Sequence, residues 1–168
     1  MFKVNDVVVY AAHGVCEIVG TEDQRFGGKS ESYFVLKPKI DKAATFYVPA
    51  NNPKALAKMR KVMSRQEIDD LIDSMPNRQT TWIANENERR EACRKIIASG
   101  DQSAIVSMIR TLYLNKKERI EGGKRPLTSD ENLIKDAEQI LYKEWQYVLS
   151  VDKAGLMAYI FERIESNH

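Results

Sequence analysis

Two histidines and two cysteines are the side chains that would first suggest metal or nucleophilic chemistry. His13 and Cys16 stand three residues apart in "AAHGVC", but no further Cys or His group completes a ligand set. His168 is the last residue, and His13 reads as part of a turn. Cys16 and Cys93 fall in segments of different character and read as free thiols of a reducing compartment. "FGGKS" lacks the first glycine of a phosphate loop and reads better as a hairpin. Asp69-Asp70 lies opposite an apolar helical stripe and reads as a solvated face. No catalytic centre emerges, so neither an enzyme nor a metal or cofactor is expected.

Binding chemistry has a better candidate in "RQTTWIANENERR", residues 78–90. Trp82 stands just inside an expected helix start with Ile83 as its one large apolar neighbour. Its helical neighbours would be Asn85, Glu86 and Arg89, and Arg78 and Arg90 are close in sequence. One reading packs the indole at a seam between two helices. The other leaves it exposed at a helix N-terminus, where backbone N–H groups favour phosphate and an aromatic beside cations can wedge against bases. The residues alone leave both open. Trp145, four residues after Leu141 and followed by Val148 and Leu149, reads as core.

The elements that must hold these residues change in kind near residue 50. "FKVNDVVVY", "VCEIVG", "QRFGGKSESYFVLKP" and "ATFYVP" read as short strands with tight turns, including a hairpin at Gly27-Gly28. They predict a small Tudor- or SH3-like β-barrel over residues 1–52. From "NNPKAL" the signals are helical. Asn52-Pro53 is a cap with proline at the first helical position, and Ser64–Glu67 is a capping box closed downstream by Pro76. A helix is expected from Thr80 or Thr81 to the "SGD" break, with Ala92, Cys93, Ile96 and Ile97 buried. Asp101 caps the next, which buries Ile105, Met108, Ile109 and Leu112; Thr128–Glu131 opens another as a second capping box; Asp152 caps the last. The expectation is an α+β chain: a β module, then an all-helical domain of about five helices over 53–168.

Composition sets the outer limits. The chain has 168 residues, 43% hydrophobic and 30% charged, enough for a packed core and not the profile of a disordered protein. No apolar run is long enough for a bilayer and no secretion signal opens the chain, so a cytoplasmic protein with no membrane partner is expected. Net charge is +2, unevenly spread. Residues 1–50 balance six basic against six acidic side chains; 78–125 carry eleven against six; 126–168 carry four against eight. That profile suits a protein touching DNA through one limited patch rather than a uniformly basic DNA binder.

The opening "FKVNDVVVYAAHGVCEI" resembles the CarD/CdnL family of bacterial transcription regulators, whose signature runs Gly-Asp-x-Val-Val-Tyr-Pro-x-His-Gly-Val-Gly. The similarity continues through "YFVLKP", "FYVPANN", the tryptophan after the β module, "ASGD" and "AEQIL". It implies that the β module, like the RNA-polymerase-interacting domain of transcription-repair coupling factor, docks on the polymerase β subunit. It further implies that the helical domain sets its tryptophan as a wedge at the upstream edge of the melted promoter, stabilising the open complex. Tethering of this kind lets a weak DNA contact act at high local concentration.

Residue by residue, the resemblance puts Trp82 at the wedge and Arg25, with Phe26 beside it, at the polymerase contact; Arg78, Arg89 and Arg90 are candidate DNA contacts because they stand near the indole in the sequence. Tyr47 falls where some relatives carry a second basic contact. Asn5, Ala11 and Cys16 replace the signature's first Gly, its Pro and its second Gly. Relatives often follow the tryptophan with Arg and Lys; here "IANENE" follows, which reduces the implied phosphate contacts. A protein–protein adaptor that never touches DNA is the alternative that this departure favours. A monomer is expected, and the strand edges of a small barrel also permit a swapped dimer.

Overall fold

A computed structural model describes residues 1–40 and 43–166, except the side chains of Ala12 and Phe26; His168 lies outside the described residues. Two compact units divide between Met63 and Ser64.

The first unit holds five strands: β1 (Val7–Tyr10), β2 (Val15–Phe26), β3 (Lys29–Pro38), β4 (Phe46–Pro49) and β5 (Met59–Lys61). They form one antiparallel sheet in the order β4-β3-β2-β1-β5. Gly27 and Gly28, with φ of 58° and 81°, supply the two left-handed residues that a two-residue hairpin loop demands. The register slips once, between Ile18 and Gly20, which leaves Val19 as the unpaired residue of a bulge and turns it outward. Val8, Cys16, Ile18, Leu36, Val48 and Met59 form the buried cluster. His13 occupies a single turn of 3-10 helix, its ring 5.4 Å from that of Tyr10 and 4.3 Å from that of Phe46. No group of three or more potential metal ligands occurs among the described residues.

The helical signal at residue 53 is only partly realised. Asn52 caps Lys54 and Ala55 as its sequence suggests, but the helix α1 (Pro53–Leu56) is one turn long. The chain then returns as β5 against β1, pairing Lys61 with Val8 and Met59 with Tyr10. Residues 53–63 thus belong with the sheet, eleven residues beyond the boundary expected at 52. Three residues are too few for strand periodicity to register against a helical background.

The second unit contains α2 (Arg65–Ser74), α3 (Glu86–Ser99), α4 (Gln102–Glu121), α5 (Thr128–Leu149) and α6 (Lys153–Ser166). Helix α5 contacts each of the other four, so its apolar stripe of Leu133, Ala137, Leu141, Trp145 and Leu149 forms the spine of the core. Trp145 is fully buried and donates its indole N–H to Gln102 Oε1 at 3.0 Å. Gln102 Nε2 then donates to Glu144 Oε1 at 2.6 Å, so these buried polar groups satisfy one another.

Local capping follows the sequence at α2, where Ser64 and Glu67 exchange both bonds of a capping box, and at α4 and α6, where Asp101 and Asp152 accept from Ala104 and Gly155. It does not at α5. Thr128–Glu131 lies inside that helix, whose N-cap is Leu127, and no side chain caps it. Ser129 instead donates to Glu86, Asp130 accepts from Arg89 and Glu131 pairs with Lys116. Asp69 also departs from its expected solvated position. It is buried, accepts from the Tyr159 hydroxyl and pairs with Arg163 from α6, while Asp70 takes a bond from Gln66.

Among the described residues, no helix is long and apolar enough to cross a membrane.

Candidate functional site

In the first unit, Arg25 sits next to the tip of the β2–β3 hairpin, opposite Ser30, and is exposed. Phe26 pairs with Lys29 across the turn. Tyr47 lies on the edge strand β4 opposite Val35 and is 46% exposed. Ser30 and Val35 are five residues apart on one strand, so Arg25 and Tyr47 are separated by roughly 17 Å along the ladder. Their partners also differ in parity, which puts the two on opposite faces of the sheet. The structure therefore does not unite them in one patch.

The second unit assembles its residues more closely, though not on the expected helix. Residues 78–84 form neither helix nor strand, and α3 begins only at Glu86, with Asn85 accepting from the Glu88 N–H at 3.0 Å. Asn85 is a stronger cap than Thr80 or Thr81, and the run before it is fastened by Arg78, Arg89 and Arg110. Trp82 therefore stands on a strap ahead of the helix, not at its N-terminus. That N-terminus carries Glu86 and Glu88 in its first turn, so its dipole is already answered by carboxylates and phosphate is repelled there.

Arginines fasten the strap at both ends. Arg78 donates through Nε to Ser74 Oγ at 2.9 Å, and through Nη1 to the Ser103 carbonyl at 3.0 Å, Ser103 Oγ at 2.6 Å and Ser107 Oγ at 3.1 Å. Arg110 Nε donates to the Arg78 carbonyl at 3.1 Å. At the other end Arg89 Nη1 donates to the carbonyls of Ile83 at 2.9 Å and Ala84 at 3.3 Å, while Nε meets Asp130 Oδ1 at 3.0 Å. Between the strap and helices α3 and α4 lies a cleft of about 330 Å³, lined by Thr81, Ile83, Cys93, Ile96, Met108 and Leu112 among others. Arginine fastenings rather than flush apolar packing hold this segment.

Trp82 is 40% exposed, and its ring centre lies 4.3 Å from the guanidinium carbon of Arg89. It is neither sealed in a seam nor free. One face rests on a cation, an arrangement worth about 0.5–2 kcal/mol depending on desolvation.

The cations named from the sequence divide sharply on exposure. Arg89, expected at the DNA contact, is 3% exposed and neutralised by Asp130; its fork is directed inward. Arg78 is likewise occupied by the serines of α2 and α4. Arg90 keeps solvent access at 42% and pairs with Glu86 at 3.5 Å. The Ser129 hydroxyl holds the Glu86 carboxyl below its ordinary range, more than offsetting a small desolvation effect, and Arg90 and Arg89 add to the lowering. Asp130, Arg110 and the two serines of α4 were not legible as site residues. Their sequence separations of 25 to 41 residues from their partners leave no local signal.

Residues 2–63 match the family model of the CarD-like/TRCF RID domain, and the match ends where the first compact unit ends.

Proposed function

We propose that this chain, whose first unit is a CarD-like RNA-polymerase-interacting domain, is a transcription regulator that docks on the polymerase β subunit and wedges Trp82 against promoter DNA at the upstream edge of the bubble. In this reading the open complex is stabilised because an indole caps the base stack that strand separation has left exposed. The observation carrying it is the state of Trp82: substantially exposed, yet held on a guanidinium and a fastened backbone. Base–aromatic stacking contributes about 1–3 kcal/mol, and unstacking a step costs a few kcal/mol. A wedge therefore acts only where melting has already opened the stack, or where the ring is fixed in advance. Prior ordering removes about 0.5–1.5 kcal/mol of side-chain immobilisation from the cost of binding. Docking on polymerase supplies the rest, since a ring held beside the duplex needs little intrinsic DNA affinity.

Trp82→Ala is the deciding variant. Retained polymerase binding with a shortened promoter-complex lifetime supports the wedge; an unchanged lifetime removes it.

A second reading is favoured by a specific observation: of the three expected DNA-facing arginines one is buried and one is half-buried and bonded to serines, and the start of α3 is acidic. An adaptor that binds polymerase without touching DNA would have these properties. It predicts that Trp82→Ala and Arg90→Ala leave both the promoter-complex lifetime and its salt dependence unchanged.

A further inference from the structure

We infer that the buried pair Arg89–Asp130 is the seat of Trp82: it fixes the ring's pose and confines base contact to one face of the indole. This rests on the wedge reading of Trp82 and assigns two positioning residues behind it.

Every donor that Arg89 is seen to use is directed at the strap or its anchor. Nη1 holds the carbonyls of Ile83 and Ala84, the two residues that follow Trp82, and so restrains the backbone next to the one from which the indole projects. Nε is bound to Asp130 on α5, which ties the strap to the spine of the helical core. The guanidinium plane meanwhile backs the ring at 4.3 Å. With 3% exposure, Arg89 is out of reach of a phosphate.

Stability alone does not account for the arrangement. A buried ion pair replaced by apolar groups of similar volume is often neutral or better for stability, because desolvating two charges offsets their attraction. What an apolar pair could not supply is a planar cation whose Nη1 holds two carbonyls and whose Nε meets Asp130 while it lies over an aromatic ring. Positional control explains why charge is retained inside.

The geometry has a chemical corollary. A ring with a guanidinium on one face offers a base only the other face and the edge. Trp82 is thereby suited to cap the terminal base of a stack, as at a junction between duplex and melted strands. It is not suited to intercalate between two stacked pairs.

The test uses the full chain with polymerase and a promoter, and removes both charges together so that none is left uncompensated. Arg89→Met/Asp130→Asn, labelled with 5-fluorotryptophan, gives two fluorine resonances; the one lost in Trp82→Phe belongs to Trp82, and Trp145 reports the core. The expected result is an unmoved Trp145 signal and a Trp82 signal shifted and more open to a soluble paramagnet. Promoter-complex lifetime should fall at least about fivefold, as loss of a stacking contact does, with polymerase affinity kept. Added to Trp82→Ala, the pair should shorten the lifetime no further, whereas a general loss of structure would add to it. Arg89→Lys keeps the charge but not the fork and should behave like the double variant. An unmoved Trp82 signal, a retained lifetime or an additive effect on Trp82→Ala would each overturn the seat. If Trp82→Ala itself leaves the lifetime intact, the wedge fails, and the fluorine signal still decides whether Arg89 and Asp130 hold the ring.

Discussion

The indole N–H of Trp145 donates to Gln102 Oε1 at 3.0 Å inside a fully buried site, while Trp82, 63 residues earlier, rests on Arg89 with 40% of its surface in solvent. The two tryptophans of the chain thus do opposite work, and their substitutions should separate cleanly. Trp145→Ala should destabilise the helical unit by about 3–5 kcal/mol through cavity formation, with the orphaned Gln102 carbonyl adding to the loss. Trp82→Ala should cost about 1 kcal/mol, the loss of one cation–π contact. Denaturant unfolding followed by far-UV circular dichroism checks both.

In promoter assays the order reverses. Trp82→Ala should shorten open-complex lifetime by about fivefold to a hundredfold, the range expected of one stacking contact. Arg90 is 42% exposed and holds only one exposed partner, Glu86 at 3.5 Å, whereas Arg78 is bonded to three serines. Arg90→Ala should therefore lower the salt dependence of that lifetime by about one phosphate contact, a change near 0.9 in the log–log slope. An unaltered slope would take Arg90 out of the DNA contact.

Arg25 and Tyr47 lie on opposite faces of the sheet, so one flat partner surface does not engage both. Arg25→Glu should weaken binding to the isolated β subunit by tenfold or more, about 1.4 kcal/mol or above, in keeping with loss of a charged interface contact. Tyr47→Ala, placed on the edge strand, should act independently, and the two effects should add in titration calorimetry.

Alkaline pH should loosen both units through groups kept protonated by burial. The Cys16 thiol is pushed up from 9.0 to about 11 by desolvation in the sheet core. Burial also raises Tyr142 and Tyr113, the latter helped by its bond to Glu138. The folded state then holds protons that the unfolded chain releases, so stability is whole below about pH 9 and declines as pH rises towards 11. The tyrosines extend the decline above pH 10. Thermal unfolding from pH 7 to 11 should show it, and Cys16→Ala should flatten the part due to the first unit.

How much was legible beforehand depended on whether the determining contact was local. The Gly27-Gly28 turn, the Ser64–Glu67 box and the caps at Asp101 and Asp152 act within four residues, and sequence pattern sufficed. Trp145 was recognisable because its apolar neighbours recur at helical spacing along α5. Four features escaped. Strand β5 is three residues long, below any periodicity. The burial of Asp69 depends on Tyr159 and Arg163, about 90 residues away. The start of α3 is expected at Thr80 or Thr81 and lies at Glu86. Asn85 caps it instead, while Arg78 and Arg89 tie the intervening segment to α4 and α5. The same long-range ties turned Thr128–Glu131 from a capping box into a set of anchors.

The strap has one more consequence. Its grip lies at Arg78 and at the carbonyls of Ile83 and Ala84, while the side chains of Gln79, Thr80 and Thr81 are exposed. The chemistry displayed beside the indole is consequently uncoupled from the folding of the bundle. Selection is free to retouch that short stretch, and in the wedge reading to tune which DNA sequence is favoured, while the mounting beneath it stays as it is.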